Sequence, residues 1–219
     1  MMLGLEFKLD ALYFTTFRKP ASTSLILSYT IPPYTTIRGL LSNALGKKRD
    51  DYSIQDWVKI GLSPPEKISK SREIAKILKL KGTGKTHNRV FPSSPIFKEF
   101  LIKPTYRIYL AGEEDKIQRI HNALLQPERP LYLGASDDLA DIEVSEPIEI
   151  REIKTKQVTG IIGGIHEKCS VENVPYKFIQ RGKGFSIEYK TVSIPPTKTT
   201  ILKGELGCWE FSSGNVWLA

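Results

Sequence analysis

Tyr29-Thr30-Ile31-Pro32-Pro33-Tyr34-Thr35-Thr36-Ile37-Arg38-Gly39-Leu40-Leu41-Ser42-Asn43-Ala44-Leu45-Gly46 is the run from which the fold is read. After Pro33 the apolar residues fall at Ile37, Leu40, Leu41, Ala44 and Leu45, the single stripe of an amphipathic helix. Pro32-Pro33 stops the preceding extended segment, Tyr34 to Thr36 supply a capped start, and Gly46 suits a left-handed helix end. The opposite face carries Thr35, Arg38, Ser42 and Asn43. Free N–H groups, two hydroxyls and an arginine one turn in make a ready phosphate site. The same stripe serves any helix that packs on a sheet, so pattern alone leaves both readings open.

Around this helix the chain reads as strand, helix, strand, strand, helix, strand. Residues 3–17 form the first strand, with Leu3, Leu5, Phe7 and Leu9 on one face. Ser53 to Ile60 suits one or two helical turns. Periodicity leaves Glu73 to Lys81 open between helix and strand, and the glycines that follow favour strand. Gly82 to Pro95 reads as a flexible basic loop with only Val90 and Phe91 as apolar anchors. Ile96 to Ala111 is extended. Glu113-Glu114-Asp115 opens a second helix whose buried stripe is Ile117, Ile120, His121, Leu124 and Leu125. A last strand covers Ile142 to Ile150. The order is that of a ferredoxin-like (RRM-like) βαββαβ domain, an α+β fold shared with RNA-recognition modules. The expected organisation is a domain over 1–150 with a basic hairpin arm around 66–103. A smaller β-rich appendage follows over 151–219, with turns at Gly163-Gly164, Arg181 to Gly184, and Gly204.

Charge adds an address. The 219 residues carry a formal net charge of +8. Between Glu66 and Arg107 eleven Lys/Arg face three Glu, which accounts for the whole excess, the rest of the chain being balanced. A localised basic segment is the footprint of a polyanion partner, although lysine-rich solvated faces also occur. The hydrophobic fraction of 40% supports a real core. No apolar run approaches the length of a transmembrane helix, and the N-terminus alternates like a strand, without a signal-peptide pattern. Cys169 and Cys208 form no disulfide framework and no CxxC, so a reducing, cytoplasmic setting is expected. His87, His121 and His166 lack ligand spacing, so neither metal nor cofactor is expected. Asp137-Asp138 after Ser136 suit a helix cap and first turn rather than paired catalytic carboxylates. Arg181-Gly182-Lys183-Gly184-Phe185 approaches the RRM signature but puts Lys183 where an aromatic should stack, so it reads as a hairpin turn.

The run from Tyr29 to Leu41 and a second run, Pro130-Leu131-Tyr132-Leu133-Gly134-Ala135-Ser136-Asp137, resemble the CRISPR-associated "Cas five" family in order and spacing. The resemblance covers roughly residues 1–150. It implies a crRNA-binding subunit that holds the 5′ handle of the guide RNA in a Cascade-type antiviral ribonucleoprotein complex. It also implies docking on backbone and large subunits, with the arm as a thumb against the backbone subunit. The RNA-contacting set expected from it is Arg18, Lys19, Tyr34, Thr35, Thr36, Arg38, Lys85, His87 and Arg89. One branch of that family cuts precursor crRNA without metal, using a tyrosine, a lysine and a histidine. Tyr34, Lys85 and His87 are residues of those types here, and an endoribonuclease is the alternative to binding alone.

Overall fold

Leu3, Leu5, Phe7 and Leu9 alternate along β1 (Met2–Ala11), and that alternation seats the strand inside the first sheet with its odd face in the core. The computed structural model of the chain describes residues 2–20, 25–65, 67–83, 86–182 and 184–219, with side chains described outside 77–94. Next along the chain come β2 (Phe14–Thr15), β3 (Leu25–Ile26), α1 (Tyr34–Ala44), a 3-10 turn (Ser53–Asp56) and β4 (Val58–Ser63). The hairpin β5 (Ser69–Thr83) and β6 (Thr86–Ile102) follows, then β7 (Thr105–Glu113), α2 (Glu114–Leu125), β8 (Ala140–Val144) and β9 (Ile148–Glu149). The last third holds β10 (Glu152–Thr159), β11 (Ile162–Gly163), β12 (Ser170–Arg181), β13 (Gly184–Ile194), β14 (Thr199–Phe211) and β15 (Gly214–Val216). The chain is thus mixed, strand-rich, with two α-helices among the described residues.

The first sheet runs β4-β7-β1-β8, with β9 pairing the start of β1 and every pairing antiparallel. Leu5 faces Leu110 and Phe7 faces Ile108, and this face meets Ile37 and Leu41 of α1 and Ile117 and Ile120 of α2 in one core. The other face is covered too. Tyr109, Phe211 and Val216 form a second cluster there, and a Cβ on Gly61 would overlap Val216, Leu218 and the carbonyl of Trp217. Ile161, Val174, Val192 and Ile194 of the last third belong to the same core as β1. Beyond them, β10, β14 and β15 pair in a closed ring, and β11-β13-β12 form a three-stranded sheet. Among the described residues no helix is long and apolar enough to cross a membrane.

Several expectations are corrected. The first strand ends at Ala11, and Phe14–Thr15 crosses to another sheet to pair Leu101 and Ile102. Only Ser53–Asp56 is helical, because Val58, Ile60 and Leu62 alternate into the core as β4. The Gly82–Pro95 loop is strand wherever it is described, with Gly82 opposite His87, Leu80 opposite Arg89 and Lys79 opposite Phe91. Backbone pairing needs no apolar side chain, so a stretch short of anchors still extends the ladder. Pro33, not a hydroxyl side chain, precedes α1, and it makes no side-chain cap. Gly46 does take a left-handed φ of 65°. Leu125 is exposed at the end of α2, whereas His121 is buried in its stripe. The strand expected over 142–150 is two short strands on β1, and Gly204 lies within β14 rather than at a turn. Asp137-Asp138 start no helix: the Asp138 carboxylate accepts from Thr15 Oγ1 at 2.9 Å and from the N–H groups of Thr16 and Ala135.

Candidate nucleic-acid interface

Helix α1 points its first turn inward. The Tyr34 ring is fully buried and meets Tyr176 of β12 edge-on, with centroids 5.5 Å apart. Its hydroxyl has no hydrogen-bond partner, and burial pushes its pKa far above the ordinary tyrosine value. One turn on, Arg38 is only 3% exposed. Its Nη1 donates to the Tyr176 carbonyl, and its guanidinium lies 4.9 Å from the Tyr176 ring centre. Nε and Nη2 have no partner, and burial lowers the pKa of the group. Lys190 continues the stack, 4.5 Å from the Tyr176 ring and 5.2 Å from that of Trp217. The surface roles expected of Tyr34 and Arg38 are therefore corrected, because β12, from far along the chain, covers that side of the helix. Thr35 and Thr36 are half-buried, and the N–H groups of Thr36 and Ile37 already bond the Pro33 carbonyl. A buried hydroxyl without a partner is a net cost. Tyr34→Phe is expected to leave stability unchanged or raise it by up to about 1 kcal/mol. Thermal melts of the two proteins check this, and a clear loss would mean that the hydroxyl is bonded in solution.

Around the root of the hairpin arm the cations divide into paired and free. Lys19 bonds Glu172 at 3.0 Å, and the same carboxylate holds the N–H and hydroxyl of Thr30. Glu99, buried on β6, bonds Arg72 at 3.0 Å and Lys70 at 3.4 Å. Burial pushes its carboxyl up, but Arg72, Lys70 and the Ser28 N–H outweigh that and hold it below its usual value. Arg18, Lys67, Lys76 and Lys103 are exposed, and among the described residues no carboxylate pairs with them. Lys85 lies outside the described residues. His87 and Arg89 are placed only as strand positions on β6. The set expected from sequence is thus not one cluster: Tyr34 and Arg38 are buried, Lys19 is paired, and Arg18 stands free near the arm root.

The outer face of α1 holds what the sequence reading missed. A cavity of about 560 Å³ lies over Gly39, Ser42 and Asn43, walled by Tyr52 and Phe178 and rimmed by Lys48, Arg49 and Arg129. Both motifs meet here. Asn43 Nδ2 donates to the Pro130 carbonyl at 2.6 Å, and Arg129 donates to the Gly46 and Lys47 carbonyls at the end of the helix. Tyr132 lines the cavity, while its neighbours Leu131 and Leu133 are buried. Gly134 has a φ of 70° and stands where a Cβ would come within 2.6 Å of the Thr16 carbonyl, so this turn admits no side chain. The Tyr52 ring lies 4.7 Å from that of Phe178, tilted by 33°, and meets Phe185 edge-on at 4.7 Å. The Gln55 amide fixes that wall by bonding both the N–H and the carbonyl of Phe178. One sequence signal pointed here: Gly39 weakens the helix by about 1 kcal/mol relative to Ala, and a residue there must have another reason.

A family model described as CRISPR-associated protein (Cas_Cas5) matches residues 4–173. Among solved structures, the chain is similar to one from a "CRISPR RNA-guided surveillance complex", at a TM-score of 0.57 and 16% identity, covering 92% of this chain and 91% of that one. It is also similar to a CRISPR protein from Archaeoglobus fulgidus, at a TM-score of 0.53 and 11% identity, covering 97% of each. At these identities the likeness concerns the fold. No curated protein matches the chain.

Proposed function

Because the chain belongs to the CRISPR-associated protein (Cas_Cas5) family, we propose that it is a non-enzymatic, cytoplasmic crRNA-binding subunit of a class 1, Cascade-like surveillance complex. It grips the 5′ handle of the guide RNA and docks on backbone and large subunits. On this reading the first sheet and its two helices are the ferredoxin-like unit, and the hairpin arm is the thumb. The observation that carries the proposal is the arm itself. Two long paired strands hold most of the segment that supplies the whole net charge, and free cations surround their root. Charge confined to one projection is what a flexible phosphate backbone recognises.

The alternative, a metal-independent endoribonuclease using Tyr34, Lys85 and His87, needs a base and a proton donor within hydrogen-bond reach of one phosphate. The Tyr34 hydroxyl is buried beneath Tyr176, which favours binding without cleavage. Purified protein incubated with repeat RNA in chelator is expected to leave the RNA intact. A single cut at the handle boundary that His87→Ala abolishes would overturn the binding-only reading.

A further inference from the structure

Gly39 has no structural reason to be glycine. It lies within α1 with helical φ, exposed, and a Cβ added there meets nothing within 4 Å. Any side chain but proline would fit the helix and strengthen it. What a side chain would do is enter the cavity above. That cavity is a built one. Its aromatic wall is clamped by Gln55, its rim carries Lys48, Arg49 and Arg129, and Arg38 lies beside it with two buried nitrogens unpartnered. Only Asp50 and Asp51 oppose these cations in the lining: Asp51 is bound to Lys47 at 3.2 Å, while Asp50 accepts from the Tyr52 hydroxyl and reaches the exposed Arg49 only at 3.9 Å, a loose pair that a phosphate can displace.

We propose that this cleft holds one unstacked nucleotide of single-stranded RNA, its base lying over Gly39 against the Tyr52–Phe178 wall and its phosphate at Lys48, Arg49 and Arg129. The inference rests on the RNA-binding reading and gives it a position. A floor left open at Gly39, next to an aromatic wall, accepts the face of a splayed base. Hydrogen-bonding groups at Ser42 and Thr35 face the same space and are of the kind that read a base edge or a ribose hydroxyl. The volume lies in the range of small-molecule sites. It also explains why two motifs far apart in sequence converge: one supplies the floor, and the other, with Arg129 beside it, the rim.

The test is an abasic scan of handle RNA, titrated by fluorescence anisotropy at low salt against the full chain and against Gly39→Phe. One abasic position is expected to cost the wild type about tenfold in affinity, the size of a lost stacking contact. The same position costs Gly39→Phe nothing, because the phenyl ring occupies the place of the base. If every position costs both proteins the same factor while RNA still binds, the cleft assignment is overturned and the RNA-binding reading stands. If the wild type binds no RNA at all, that reading falls and this one with it. Should Gly39→Phe fail to fold, the exposed pair Lys48→Ala/Arg49→Ala decides. Its plot of log K against log salt becomes shallower by about 1.4 if both contact phosphate, and an unchanged slope overturns the site.

Discussion

Replacing Arg18, Lys67, Lys76 and Lys103 together with alanine is expected to flatten the salt dependence of handle-RNA binding by about 2.8 in the slope of log K against log salt. Each phosphate contact on a single strand contributes about 0.7 through counterion release, and these four cations are exposed and free of carboxylate partners among the described residues. Over a tenfold rise in salt the variant should therefore lose about 600-fold less affinity than the wild type. Lys19, Lys70 and Arg72 are left out because Glu172 pairs with the first and Glu99 is shared by the other two, so they release fewer counterions. Anisotropy titrations at four or five salt concentrations measure both slopes. Parallel lines for the two proteins would remove the arm root from the RNA path.

The second large effect is structural. Gly61→Val is expected to destabilise the chain by about 3 kcal/mol, at the upper end of the cost of overpacking. Its first side-chain carbon would sit 2.6 Å from Val216 Cγ1, 2.7 Å from Leu218 Cδ2 and 2.8 Å from the Trp217 carbonyl oxygen. A backbone oxygen cannot yield alone, because two residues later Ala219 exchanges hydrogen bonds of 3.0 and 2.9 Å with Ile60, and just before it Val216 is paired with Trp209 of β14. The melting temperature should fall by about 6–12 °C. Melting with the wild type would show that the C-terminal segment does not rest on β4 in solution.

Much of this was legible from local pattern. The stripe through Ile37, Leu41 and Ala44 and that through Ile117, Ile120 and Leu124 are buried as their spacing requires. So is the alternation of Leu5, Phe7 and Leu9. These signals are strong because burying several apolar groups on one face contributes more than any local preference opposes. The addresses of Arg38 and Tyr34 were not legible. A helical stripe shows which residues face the first layer of core, but it is silent on whether a second layer covers the opposite side. Here β12 does so, with Tyr176 more than a hundred residues away.

The strands of the arm show the other limit. Side-chain pattern assigned Gly82–Pro95 to a loop, but ladder hydrogen bonds join backbone groups that every residue except proline carries, so its described residues extend the β5–β6 ladder. By itself, then, the sequence determined the two helices, the buried alternation of β1, the basic segment, and the motifs that mark the family. Tertiary structure alone decided which cations are free, which face of α1 is open, and that Asn43 and Pro130 meet beside the cleft. Free and paired cations read alike along the chain, since the difference lies in carboxylates brought close by folding, such as Glu99 and Glu172.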